Sequence, residues 1–383
     1  MLPFPIISNL RQQSIYKIQK FVAGSSHVAI LGTNGQLFTR GDNTYGQLGD
    51  TSYTTNYQGW QLSLSDVAGV YGDRSQNTVA IKKDGTVWVC GRFWTATQFG
   101  FTSTTGAHSW TEITMYLPFS TNTIKDIQVG YQMSAFVLND GSVYFCGTNT
   151  NGQFGNNNIT NLTSYTKSLA TDVQKLYLQH PLWQGQNVIS YIDSTGKPYA
   201  CGNNNTKQVS NSSTISSYST FQLLSSAVYT SAAIAGTTSW YIRSNGSGDY
   251  CGSASVLQNT NSGILNMYSA TGNGATQLGE IQLASFAIVY GYKTTNTFWA
   301  KTYYSGGGTE TPLMNNASNR ANWLQQSTMP VSAGVYSGMA MGNYNNGFIL
   351  FLGSDQQEIF GVGLMSSNNA STAFEKLSIP EFK

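Results

Sequence analysis

The sequence predicts an all-β fold, a seven-bladed β-propeller of four-stranded antiparallel blades. Two observations predict it: a sequence unit that recurs about every 52 residues along the 383-residue chain, and a hairpin signal in front of the well-preserved units. A strand-built repeat of roughly 40 to 50 residues is the sequence signature of a propeller blade. We therefore expect a single domain, residues 1–383, made of seven repeats.

The repeat is best preserved at residues 143–155, where an apolar run ends in Cys146-Gly147 and Gly-Gln-Phe-Gly follows. Aligning the chain on the residue before this glycine gives seven markers: Arg40, Cys90, Cys146, Cys201, Cys251, Ala300 and Leu352. The last two belong to degraded copies in which the cysteine is lost. The markers divide the chain into units of similar length.

A tight-turn dipeptide precedes the clearest markers. Asn34-Gly35, Asp84-Gly85 and Asp140-Gly141 each lie between two runs rich in β-branched and aromatic residues. Such dipeptides supply the positive φ angles that two-residue hairpin turns require. Each unit is therefore predicted to be a small antiparallel sheet.

With these motifs the chain resembles the regulator of chromosome condensation repeat family, whose units read His-Thr-x-Ala-Leu, Asp-Gly, Val-Tyr-x-Trp-Gly and Gly-Gln-Leu-Gly. The match is sharpest at residues 27–31, 46–49 and 152–155. The family's Trp is Cys here, and its His is replaced by Asn77 and Met133 in the second and third units. The resemblance implies a propeller that binds regulatory partners, including guanine-nucleotide exchange on a small GTPase and contact with chromatin.

The two ends of the chain suggest how a ring would close. Residues 15–24 resemble 124–130, the strand that enters a hairpin, and residues 374–379 resemble 110–113, the strand before such an entry. We expect the N- and C-terminal strands to pair in one blade, which removes an exposed sheet edge.

The first 20 residues contain no long apolar run and no small-residue cleavage pattern. We therefore expect no signal peptide and no membrane insertion, and synthesis in the host cytoplasm.

Composition limits the possible partners. Charged residues make up 9% of the chain, against roughly 25% in an average protein. The net charge is +2 without a run of four basic residues, so the phosphate neutralisation that nucleic-acid binding requires is not expected. The same lack of charged groups argues against GTPase and chromatin partners. Such a surface suits a protein held in a multi-copy assembly.

The four cysteines stand one blade apart. Packed sheets are about 10 Å apart, beyond disulfide reach, and no close Cys or His pair offers a zinc site. We expect small buried side chains, no metal and no cofactor. The three histidines lack periodic partners, and no nucleophile elbow, zinc motif or phosphate loop occurs. No catalytic residue is predicted and the chain is not expected to be an enzyme, although a carboxylate pair from two blades would escape this search.

Aromatic residues in the polar connectors are the candidates for binding. Trp94, Trp110, Tyr303 and Tyr304 are assigned to these connectors, and such side chains stack on sugars or anchor protein interfaces. The alternative is that the connectors are only solvated links between blades.

These observations favour a non-enzymatic structural or adsorption protein of a bacteriophage particle, because a charge-poor propeller rich in Asn, Ser, Thr, Gly and Tyr resembles phage tail and baseplate proteins. Its expected location is the virion. Its partners would be other virion proteins and a host-surface glycan or protein. The alternatives are a regulatory protein-binding propeller, such as a small-GTPase exchange factor, and a lectin-like glycan binder.

Overall fold

The computed structural model describes residues 16–72, 75–103, 106–179, 187–210, 212, 214–234, 238–245, 248–252, 280–284, 287–292, 297–302, 324–325, 336–341, 348–353, 356, 358–363, 371–377 and 379–380. Within these ranges the regular structure is β-strand, apart from two short 3-10 turns at Thr114–Tyr116 and Thr121–Thr123.

The described strands form seven sheets. The first sheet contains β1 (Ile18–Ala23), β2 (His27–Gly32), β3 (Leu37–Gly41) and β4 (Asn56–Leu64). The second contains β5 (Val67–Tyr71), β6 (Asn77–Lys82), β7 (Val87–Gly91) and β8 (Ala107–Glu112). The third contains β9 (Ile124–Gly130), β10 (Met133–Leu138), β11 (Val143–Gly147) and β12 (Leu162–Lys167). The fourth contains β13 (Val173–Leu178), β14 (Val188–Asp193), β15 (Pro198–Asn203) and β16 (Ser217–Leu223).

The fifth sheet has three described strands, β17 (Tyr229–Ile234), β18 (Thr238–Arg243) and β19 (Gly248–Gly252). The sixth contains β20 (Glu280–Ala284), β21 (Ala287–Tyr292), β22 (Thr297–Thr302) and β23 (Leu324–Gln325). The seventh contains β24 (Tyr336–Met341), β25 (Phe348–Gly353), β26 (Ile359–Gly363) and β27 (Ser371–Leu377). Neighbouring strands run antiparallel, so the prediction of an all-β fold built from four-stranded antiparallel sheets is confirmed.

The glycine of the repeat has the same register in sheet after sheet. Gly147 pairs with Met133, at the start of the second strand of its sheet. Its φ is +111°, and a Cβ there would overlap the carbonyl oxygen of Gln132. Glycine is required because it alone adopts this conformation without steric cost.

Register corrects two of the predicted markers. Leu352 lies in β25, the second strand of its sheet, and the pairing of Gly363 with Phe348 makes Val362 the equivalent of the cysteine. In the sixth sheet Thr302 pairs with Ala287, so the marker moves from Ala300 by one residue. Both errors arose because these copies lack the cysteine and the turn dipeptide that fix the register elsewhere.

The predicted pairing of the terminal strands is wrong for the described strands. β1 pairs with β2, and β27 pairs with β26, so each sheet is built from one continuous stretch of chain. The first and seventh sheets meet instead by packing: Ile18 and Ile30 share an apolar cluster with Leu352 and Ile359. The backbone N–H of Ile18 also donates to the carbonyl of Gln356 at 2.9 Å.

Contacts between the first strands of the sheets follow a cyclic order. β1 contacts β5, β5 contacts β9, and the series continues through β13, β17, β20 and β24, which contacts β1. Side-chain hydrogen bonds reinforce these contacts between first strands. The Gln19 amide donates to the Ala68 carbonyl at 3.1 Å, and the Lys125 ammonium donates to the Gln174 side chain at 2.7 Å. Adjacent sheets are therefore joined through their first strands.

The segment between the third and fourth strands reaches forward onto the next sheet in each of the first four sheets. We call residues 42–55, 92–106, 148–161 and 204–216 the forward loops. A backbone carbonyl in each forward loop accepts a hydrogen bond from the cysteine thiol of the next sheet: Cys90 to Gln47 (3.5 Å), Cys146 to Thr97 (3.0 Å), Cys201 to Gln153 (2.9 Å) and Cys251 to Gln208 (3.1 Å).

Hydroxyl groups of the next sheet also donate to carbonyls of the first two forward loops. The Thr78 hydroxyl donates to the Gln47 carbonyl at 2.9 Å, and the Ser134 hydroxyl donates to that of Gln98 at 2.6 Å. The four cysteines are free thiols and buried, as predicted. Burial raises the pKa of Cys146 to about 12, so this thiol keeps its proton and remains a donor at neutral pH.

An aromatic ring from the fourth strand of the next sheet covers the last glycine of the Gly-Gln-Leu-Gly motif. The ring of Trp110 lies over Gly49, that of Tyr165 over Gly100, and that of Phe221 over Gly155. These glycines also have positive φ angles of +75°, +78° and +60°. The close approach of a ring and the left-handed backbone both exclude a side chain.

Replacing Gly155 by alanine should therefore destabilise the protein through two effects. The left-handed backbone costs roughly 1 to 2 kcal/mol, and pushing against the Phe221 ring adds roughly 1 to 3 kcal/mol. Gly85→Ala is the matched control, because Gly85 has a φ of +86° but meets only the Thr121 hydroxyl oxygen, at 3.1 Å. Urea unfolding of both variants measures the difference, and equal losses would contradict the role of the ring.

His27 lies fully buried between the first two sheets, where its Nε2 is 2.8 Å from the Thr78 hydroxyl. Burial lowers its pKa to about 4, with a smaller opposing effect from Asp42. The imidazole is therefore neutral in the folded protein at pH values at which an unfolded chain would protonate it.

Stability should fall as the pH decreases from 6.5 towards 4, because in this window the unfolded state binds a proton that the folded state refuses. Between pH 7.5 and pH 5 the loss due to His27 should be about 2 kcal/mol. Urea unfolding at both pH values, compared with the His27→Gln variant, isolates this contribution from that of the carboxylates. If the variant loses as much stability as the unmodified protein between these pH values, His27 does not make this contribution.

Candidate functional site

The forward loops lie at one end of the strands, together with the turns between the first and second strands, because the first and third strands of a sheet run in the same direction. We call this end the loop face. The opposite end carries the tight turns between the second and third strands, and we call it the turn face. The candidate site is on the loop face of the first three sheets.

Side-chain amides fix the shape of the forward loops. In the first loop the Asn43 side-chain oxygen accepts from the Leu48 N–H at 3.0 Å, and that of Gln47 accepts from the Tyr45 N–H at 2.9 Å. Asn149 and Gln153 do the same in the third loop. Since these amides are buried, the loops are held from inside and Tyr45 is presented at a defined position.

Arg92 begins the second forward loop and lies between two aromatic rings. Its guanidinium carbon is 3.7 Å from the ring centroid of Trp94 and 4.5 Å from that of Tyr45. Its Nη1 donates to the Tyr45 hydroxyl at 3.0 Å and, at a longer 3.5 Å, to the Gln76 side chain. The backbone N–H of Arg92 donates to the Gln76 carbonyl at 3.0 Å, so both ends of the side chain are positioned.

The stack continues into the third sheet. The ring of Trp94 packs against that of Tyr131 with centroids 4.9 Å apart, and Tyr131 is buried in the turn between β9 and β10. Tyr45, Arg92 and Trp94 are half-buried. We call Tyr45, Arg92, Trp94 and Tyr131 the aromatic ladder; it joins three sheets.

The Arg92 side chain contacts only neutral groups in the aromatic ladder. Among the described residues the one ion pair joins Arg243 to Asp249, so no described carboxylate pairs with Arg92. A cation between aromatic faces is stabilised by the ring quadrupoles but keeps its charge. Half-exposed Trp, Tyr and Arg together are the side chains that dominate the energy of protein interfaces.

The predicted binding residues have different locations. Trp94 is part of the aromatic ladder. Trp110 lies in β8 rather than in a connector, where its ring covers Gly49 and its indole N–H donates to the Ser63 hydroxyl at 2.9 Å. Tyr303 and Tyr304 lie outside the described residues.

Sequence reasoning missed Arg92, Tyr45 and Tyr131. A signal for Arg92 exists: it is the one basic residue that directly follows a marker glycine, where the first and third units have Asp42 and Thr148. Tyr45 and Tyr131 carry no such signal, because the contact between them and the second sheet appears only when the sheets stack.

The described residues also bear on other kinds of site. They contain no group of three or more His, Cys, Asp or Glu side chains placed to hold a metal ion. The helical turns among them are not long and apolar enough to cross a bilayer.

Comparison with known proteins defines the class of protein. The structure of Prp20p from Saccharomyces cerevisiae superposes with a TM-score of 0.67 at 14% identity, over 85% of this chain and 80% of that one. Human WBSCR16 gives 0.68 at 15% identity, over 90% and 95%. The CRINKLY WD40 ectodomain of the Arabidopsis thaliana receptor kinase ACR4 gives 0.53 at 12% identity, over 94% and 99%. The chain has the β-propeller fold of these structures.

The repeat itself is identified in the first sheet. Residues 18–47 match the regulator of chromosome condensation (RCC1) repeat. No curated protein sequence matches the chain. The resemblance predicted from the motifs is therefore confirmed: the chain carries an RCC1 repeat within an RCC1-like propeller.

Proposed function

We propose that this chain is a non-enzymatic protein-binding scaffold whose contact surface is the loop face around the aromatic ladder. The observation that carries the proposal is the cation of Arg92 held between Tyr45 and Trp94 by neutral partners. The side chains are already ordered by their own contacts, so little conformational entropy is lost when a partner binds.

The scaffold is a closed ring of seven blades. Its support is the cyclic order of contacts among the seven first strands and the apolar cluster shared by the first and last sheets. Closure by packing leaves β1 and β27 as edge strands of two different sheets. A closed ring fixes the relative positions of loops from different blades, which a ladder across three sheets requires.

A double-mutant cycle tests the closure. Ile18→Ala and Ile359→Ala should each cost roughly 2 to 4 kcal/mol, and their effects should be coupled by at least roughly 0.5 kcal/mol because both side chains belong to one cluster. Ile18→Ala combined with Val89→Ala, which lies in another cluster, is the additive control. Additive losses for the first pair in urea unfolding would favour an open array.

Prp20p binds Gsp1p and histones. In this chain the low content of charged residues, 9%, favours partners recognised by aromatic and single-charge contacts over strongly charged ones. The scaffold therefore differs from an exchange factor or chromatin binder in the chemistry of its surface.

The setting we propose is a bacteriophage particle, in which several copies display the loop face towards other virion proteins or a host surface. Its support is compositional: an uncharged surface rich in Asn, Ser, Thr and Gly suits a protein ordered in an assembly.

One experiment tests the scaffold and its setting together. The photo-cross-linking residue p-benzoylphenylalanine replaces Trp94 on the loop face or, as the control, Val228, which is 49% exposed before β17 on the turn face. Gradient-purified particles from the source that encodes the chain are irradiated and analysed by quantitative mass spectrometry. We expect a fixed copy number in the particles and protein cross-links at position 94 that exceed those at 228.

Three outcomes of the cross-linking experiment would each change a different part of the proposal. Absence from particles with cross-links in soluble fractions would reject the virion setting and retain the scaffold. Cross-links to carbohydrate would favour the lectin-like alternative. Equal or no cross-linking at position 94 in both fractions would reject the loop face as the contact surface.

A further inference from the structure

Some N–H donors of the Arg92 guanidinium have acceptors among the described residues, and others have none. Two rings lie against it: the guanidinium carbon is 3.7 Å from the ring centroid of Trp94 and 4.5 Å from that of Tyr45. Its Nη1 already has two acceptors, the Tyr45 hydroxyl and the Gln76 side chain. A guanidinium has five N–H donors in one plane. The remaining three, on Nη2 and Nε, have no acceptor among the described residues.

These three donors define a geometry. Nη2 and Nε present parallel N–H bonds along one edge of the guanidinium plane, and that fork matches the two oxygens of a carboxylate. Stacking on two rings and the bond to Tyr45 prevent the plane from turning. The fork is therefore preorganised, and its charge is not neutralised by a described carboxylate.

We propose that Arg92 binds a carboxylate of the partner through its Nε and Nη2, with an adjacent planar group of the partner packing on the exposed part of Trp94. This inference rests on the proposed function and specifies the chemistry of the partner. The carboxylate belongs to an Asp or Glu side chain or to the C-terminus of a chain, since both present the same two oxygens.

Other ligands fit these contacts less well. A phosphate-rich partner would need several cations, whereas among the described residues of the aromatic ladder Arg92 is the single charged group. A neutral sugar would use the ring of Trp94 but leave the charge of Arg92 without a counter-ion. The ladder pairs one planar surface with one cation, which matches an aromatic residue next to a carboxylate.

Short peptides provide the probes. Ac-Tyr-Glu-NH2 and Ac-Tyr-Gln-NH2 are matched in size and differ only in the side-chain carboxylate, and Ac-Gln-Tyr-OH and Ac-Gln-Tyr-NH2 differ only in the carboxylate of the chain end. Each is titrated into the full-length protein, and the indole N–H signal of Trp94, assigned by comparison with Trp94→Phe, is followed by NMR. We expect roughly tenfold tighter binding for each carboxylate-bearing peptide than for its amide counterpart. Tighter binding of one carboxylate source identifies which form the site prefers.

Variants separate the fork from general charge attraction. Arg92→Lys keeps the charge but has no parallel N–H pair, so it should lose most of the preference for the carboxylate. Lys82→Gln is the matched control, because Lys82 lies over the ring of Trp88, 5.8 Å from its centroid, outside the aromatic ladder. The folded state of each variant is checked by its urea midpoint.

Equal affinity for the carboxylate and amide peptides, or an unchanged preference in Arg92→Lys, would overturn the inference. Such a result leaves the cross-linking outcome at position 94 unaffected, so failure of this inference is distinguishable from failure of the proposed function.

Discussion

The structure depends on a buried hydrogen bond that crosses from one sheet to the next. In each of the first four sheets a forward-loop carbonyl points into the next sheet and accepts from a cysteine thiol, and at Gln47 the Thr78 hydroxyl donates to the same carbonyl. A satisfied hydrogen bond adds only about 1 kcal/mol, but a buried carbonyl left without a donor costs roughly 1 to 3 kcal/mol. The correct stacking of the sheets is therefore favoured mainly because every misplaced arrangement leaves this group unsatisfied.

This constraint explains the substitution of Cys for the family's Trp. A cysteine is small enough to lie in the seam between two sheets, apolar enough to be buried there, and still offers an S–H donor. Burial keeps the proton on the sulfur, as the raised pKa of Cys146 shows. The side chain thus acts as a packing element and as a donor at the same position.

The candidate site depends on the same seams. Tyr45 comes from the first sheet, Arg92 and Trp94 from the second, and Tyr131 from the third, so a shift between any two sheets would separate the rings. The hydrogen bonds of the Asn43 and Gln47 amides fix the loop that carries Tyr45 relative to the contact between the sheets. The rigidity of the site is a property of the stacked sheets and not of any one loop.

Most of the local structure could be predicted from the sequence, but little of the packing between sheets could. Hairpins such as the one at Asp140-Gly141 are encoded by adjacent residues, and the period of the cysteines reveals their repetition. Trp110 was assigned to a connector and not to β8 because its partner, Gly49, lies in another unit, and a ring that covers a glycine looks like any aromatic residue in the sequence. Arg92 was overlooked since its rings come from two different units. Among the described strands the pairing predicted for the chain ends failed because β1 and β27 each pair within their own stretch of sequence.

The forward loops also give the series of sheets a direction, and this direction has a consequence for synthesis. Gly155 is covered by Phe221, which is synthesised only after the next four strands, β12 to β15, have been made. During synthesis the forward loop of the newest sheet therefore has no following sheet to pack against. Its packing is completed only after the next sheet has been made. The apolar cluster that joins Ile18 to Ile359 forms later still, because its residues come from the first and the seventh sheets.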